Sequence, residues 1–234
     1  MKPIVIEYRF ELEEGHADVF TLHLDPQRLE TIDTAPSELP QWTDLDFCQC
    51  GNCPLDPKVE PSCPAAVNMV RVVERFAELL SHDMVSVAVK TQERLVYSHT
   101  TVQRGVCSLM GLLMAASACP MTTFFKPMAR FHLPFASTEE TIWRATSAYL
   151  LAQYFRQQDG ATPDINLKGL TRIYNEIQTV NLAFASRLRA ACRHDSMVNA
   201  IILLDMFAKS MPSAIEESLE EIRHLFVPFL PYSK

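Results

Sequence analysis

A chain of 234 residues that is 48% hydrophobic and 21% charged can bury a core of its own, so neither disulfides nor a metal is needed for it to fold as one domain or as a core with a small appendage. The formal net charge is −7 and the 21 basic residues are scattered rather than striped, which argues against nucleic acid as a partner. Seven cysteines, an odd number, together with an N-terminus lacking an apolar leader, are what a cytoplasmic protein is expected to show.

In chain order, Ile4, Ile6, Tyr8, Phe10 and Leu12 alternate with Val5, Glu7, Arg9 and Glu11, the period-2 pattern of a half-buried strand. Residues 13–16 read as a turn and 19–24 as the returning strand, so residues 1–35 are expected to form a β-hairpin. Residues 36–64 carry six prolines and four cysteines, a composition that rules out regular structure and asks for another source of order, such as a metal. Residues 65–234 read as an α-rich core with a second strand pair near 84–98.

Within that core Pro64 suits the first position of a helix over 64–81. Capping-box spacing at Thr100 to Gln103, Ser137 to Glu140 and Ser213 to Glu216 marks helix starts near 101, 138 and 214. Further helices fit 165–192 and 197–209. The helix over 101–119 has little polar surface after Arg104 and carries Gly105, Ser108, Gly111, Ala115 and Ala118, which predicts a central position with neighbours packed closely on it. Its apolar run, 106–118, is shorter than the ~20 residues of a membrane span, so no membrane partner is expected. The expected fold class is α+β, mostly α: a bundle of about six helices with a small antiparallel β-sheet and a cysteine-rich metal-binding segment.

That segment holds the clearest chemistry. Cys48, Cys50, Cys53 and Cys63 follow C-x-C-x2-C-x9-C, and four thiolates complete a closed tetrahedral metal shell. Structural zinc is the leading reading and a 4Fe-4S cluster the alternative, favoured by the Cys-Pro steps at 53–54 and 63–64. A metal-free dithiol switch at Cys50 and Cys53 and four unrelated thiols are the remaining readings. Cys107, Cys119 and Cys192 read as packing residues, Cys119-Pro120 least clearly.

The six glycines form no nucleotide-binding or serine-hydrolase motif. Glu221-x-x-His224 has di-iron spacing, lacks a second copy, and reads as a solvated face. The connection over 121–136 is long, carries four phenylalanines, and is either docked on the core or a ligand site with Lys126, Arg130 and His132 as its polar contacts. Its capped far end and basic residues suit a small anionic ligand or an acidic peptide of a protein partner.

The segments 49–66 and 125–140 resemble an uncharacterised group of bacterial proteins known only as a domain of unknown function, a similarity extending over about 39–149. The resemblance implies no activity and no site. The functional expectation is therefore a non-catalytic zinc-binding protein with an interaction or regulatory role, or else an iron–sulfur redox protein or sensor; a homo-oligomer is compatible with either.

Overall fold

The computed structural model describes residues 2–12, 15, 17–192, 194–213, 219–220 and 222–230. The expected turn residues Glu13, Glu14 and His16, the capping box running into 214–216, and Glu221 lie outside the described residues.

Both hairpins form, and they join into one sheet. Strands β1 (Ile4–Leu12), β2 (Ala17–Leu24), β3 (Met84–Lys90) and β4 (Leu95–Thr101) lie in the order β2-β1-β3-β4, every pair antiparallel. Tyr8 stands opposite Phe20 on one side and Val89 on the other. The alternation predicted for β1 is realised: Ile4, Ile6, Tyr8 and Phe10 are buried, and Val85, Val87 and Val89 continue the same apolar face on β3.

Six helices are present among the described residues: α1 (Pro64–Phe76), α2 (Val102–Ala115), α3 (Lys126–Arg130), α4 (Thr138–Gln158), α5 (Lys168–Ala191) and α6 (Ser196–Ser213). Helix α2 is central as expected, with ten of its fourteen residues buried between the sheet, α1 and α6. A Cβ on Gly105 would meet Phe10 Cε1 at 3.0 Å and Val87 Cγ2 at 3.1 Å, so glycine is what lets this helix lie against the sheet. No single helix among the described residues is long and apolar enough to cross a membrane.

Two boundaries differ from the sequence reading. Helix α1 ends at Phe76 rather than near 81, because the chain must turn to enter β3, and Ser81 N–H and Oγ–H are bonded to the Asp195 carboxylate. The start of α2 has no side-chain cap; the amides of Val102 and Gln103 are taken by the carbonyls of Asp83 and Ser81 instead. The Ser137 box does form, in both directions: Glu140 N–H donates to Ser137 Oγ at 3.1 Å, and Ser137 N–H to Glu140 Oε2 at 2.7 Å.

The proline-rich stretch has more backbone order than its composition suggests. A 3-10 turn spans Gln41–Thr43, Asp44 and Ser62 form an antiparallel bridge, Leu45 N–H donates to Pro61 O, and Cys63 N–H to Thr43 O. The 121–136 connection also winds into a 3-10 turn, Pro120–Phe125, followed by α3.

Candidate functional site

Four thiols converge, and they are not the four that are nearest in sequence. Cys50 and Cys53 lie on one knuckle closed by Cys53 N–H donating to Cys50 O. The knuckle docks on α5, where Asn52 Nδ2 donates to Glu176 O and a Cβ added at Gly51 would lie 4.0 Å from Thr179 Cγ2. Cys63 precedes α1 and Cys119 precedes the Pro120–Phe125 turn; both have extended backbone, both are followed by proline, and both are 7% exposed. All four are free and sit in or against the same buried cluster.

Their charges act on one another. Burial pushes the Cys50 thiol up to about 12, with Cys63, Cys119 and Cys53 adding to the rise and Arg187 opposing it. Burial likewise raises Cys119, and Cys63 and Cys53 raise it further. Cys48 is exposed and has left-handed backbone (φ 50°). Among the described residues no three His, Cys, Asp or Glu side chains are gathered tightly enough to hold one metal ion.

Arg187 anchors this region. It projects from α5 with 1% of its surface exposed, and it donates through Nη1 to Trp42 O and Asp44 O at 2.7 Å each and through Nη2 to Leu45 O at 3.0 Å. Its Nε has no partner, and it enters none of the ion pairs among the described residues. A fully buried guanidinium normally has a carboxylate; here its neighbours are carbonyls and thiols.

The other expected site residues have local partners. Lys126 donates to Glu30 at 2.5 Å, and Arg130 pairs with Glu93 at 3.5 Å while lying 5.2 Å from the centre of the Phe131 ring. His132 is buried, its Nε2 2.5 Å from the Tyr8 hydroxyl, which is itself 2.7 Å from Ser108 Oγ. Burial, and then the Arg144 charge, pushes His132 down to about 3, so the imidazole is neutral. The three residues therefore do not assemble into a cationic site.

The 121–136 stretch does, however, wall a cavity of about 520 Å³ between α2, α3, α5 and α6. Sequence reasoning missed Arg144, Asn181 and Arg187 because each is an ordinary polar residue on a long helix. It also set Cys119 aside. One signal could have retrieved Cys119: three of the seven cysteines, at 53, 63 and 119, are followed directly by proline, and all three belong to the convergent set.

No curated protein and no solved structure shows significant similarity to the chain. A family described as Domain of unknown function (DUF6901) matches residues 6–227, more than the span over which the resemblance was expected, and the chain belongs to that family.

Proposed function

We propose that this protein carries an iron–sulfur cluster on Cys50, Cys53, Cys63 and Cys119 and acts as a redox or sensor protein through it. The observation that carries the reading is the convergence of four free thiols from three separate segments beside a buried arginine that no carboxylate among the described residues balances. An uncompensated buried cation is costly, and four thiolates on a cluster supply the missing negative charge, with sulfur atoms able to accept from Arg187 Nε. A cluster and a single ion ask for different ligand spacing. Four thiolates on zinc each stand about 2.3 Å from one centre, whereas around a cubane each thiolate meets a different iron and the set is wider. The charges of Cys63, Cys119 and Cys53 all reach Cys50, so the four thiols share one neighbourhood.

Substitution at the two disputed positions tests the assignment. Purified or reconstituted anaerobically, the full chain is expected to be brown, to absorb near ~400 nm and to hold about four iron atoms. Cys119→Ser should lose the colour and Cys48→Ser should keep it. A colourless protein with about one zinc per chain, its metal lost in Cys48→Ser and kept in Cys119→Ser, would restore the sequence-adjacent zinc knuckle and overturn the cluster.

A further inference from the structure

The cavity between α2, α3, α5 and α6 has an electrostatic bias that runs against the whole protein. The chain has 28 acidic residues against 21 basic ones, yet among the described residues no Asp or Glu lines this space, while Arg104 and Arg144 both do. The walls are otherwise largely apolar, with Leu112, Met128, Phe135, Ile177, Leu204 and Phe207 among them. A volume of about 520 Å³ falls within the ~300–1,000 Å³ of small-molecule sites.

Two polar side chains keep hydrogen-bonding capacity toward this space. Asn181 is 3% exposed, lines the cavity and makes no hydrogen bond among the described residues. Its amide is therefore available, as donor and acceptor, to whatever occupies the cavity. Arg144 is half-buried and donates through Nη2 to Met128 O at 3.0 Å and Phe131 O at 3.4 Å, with no ion pair among the described residues. The nearest carboxylate that acts on it, Glu140, is engaged in capping α4. Tyr174 lies beside the guanidinium, one end of a face on which α5 sets Asn181 two turns further along, about 10 Å away.

We infer that this cavity binds an amphipathic carboxylate, a medium-chain hydrocarbon body with one anionic head, with Arg144 and Tyr174 at the head and the α2, α5 and α6 side chains around the body. His132 shares the wall as a neutral hydrogen-bonding group, its Nε2 engaged by Tyr8, so the positive charge comes from the two arginines. The inference is independent of the cluster and stands whether or not metal is bound. It keeps the sequence-derived expectation that 121–136 helps to form an anion site, and it moves the charge from Lys126 and Arg130, which already have carboxylate partners, to Arg144 and Arg104.

Calorimetric titration of the full chain with decanoate and with 1-decanol tests it. Decanoate should bind saturably and roughly tenfold or more tighter than the alcohol, the factor expected of a charge-assisted hydrogen bond. Arg144→Gln should remove that preference. Because Arg144 also holds two carbonyls, Arg104→Gln with Asn181→Leu repeats the test without breaking any side-chain hydrogen bond among the described residues, and should weaken decanoate several-fold at an unchanged unfolding midpoint. Equal affinity for acid and alcohol, no saturable decanoate binding, or unaltered decanoate binding in the double variant would each overturn the assignment.

Discussion

The cysteine region and the cavity occupy different sides of α5, and each is organised by an arginine that faces backbone carbonyls instead of a carboxylate. Arg187 is sealed in, with three donor contacts fixing the Gln41–Thr43 turn and the strand-like stretch after it. Arg144 is half-solvated and two carbonyls hold it at the edge of open space. The same residue type thus does two jobs. Where loops built from proline and cysteine must be positioned, the guanidinium serves as a fixed hub; where helices already set the geometry, part of its donor capacity stays free for a ligand.

The sharpest way to break this comparison is to remove the hub. Arg187→Met keeps the bulk of the stem and strips the donors from three carbonyls at once, two of the bonds being fully buried. The expected loss is about 3–5 kcal/mol in urea unfolding, the range for breaking a buried charged network. Arg144→Met should cost far less, since its carbonyl partners lie nearer to water. Equal losses would mean that the two arginines play the same part.

A smaller effect, confined to the cavity side, is expected from acid. His132 is neutral in the folded state, held down to about 3 from its ordinary 6.5. Below 6.5 the unfolded chain binds a proton there that the folded chain refuses, so this group lowers stability progressively between about pH 6.5 and 3 and has no effect above that window. At pH 5 the loss is about 2 kcal/mol. Denaturation at pH 7.5 and pH 5 should show that extra loss in the wild type and not in His132→Gln; a parallel slope in both would place the acid sensitivity elsewhere.

What could be read from the sequence divides along the same line. Period-2 alternation in β1, the small residues of α2 and the Ser137 box are local signals, and each took the structure expected of it. The pairing of β1 with β3, which joins the two hairpins, depends on residues some eighty positions apart and has no local signature. The surroundings of the expected site residues were hidden for the same reason. Lys126 and Arg130 looked available only because Glu30 and Glu93 are remote in sequence. Cys119 is distant along the chain, yet the fold brings it to the knuckle. Sequence spacing reports chelation within one loop, and a group of thiols brought together from three segments escapes it.

The smallest expected effect sharpens the comparison most, because it asks whether the two sides of α5 are mechanically separate. Ser137→Ala deletes one half of a reciprocal cap and leaves the Glu140 amide without its acceptor. Such a loss costs about 1 kcal/mol, or about 2–4 °C in Tm for a chain of this size. Helix α4 carries Arg144 within its first two turns, so loosening its start should reach the cavity: decanoate affinity is expected to fall a few-fold while absorbance of the cluster stays unchanged. The connection to Cys119 is the weak point of that separation. The chain runs from Cys119 through the Pro120–Phe125 turn and α3 directly into the Ser137 cap, and Thr122 Oγ donates to Cys119 O. If the cap variant bleaches the cluster as well as weakening decanoate, strain passes along that stretch and the two sites are coupled through it. If decanoate alone responds, Thr122 and the buried Ser117 bonded to the Cys119 amide hold the thiol independently of α3 and the Ser137 cap.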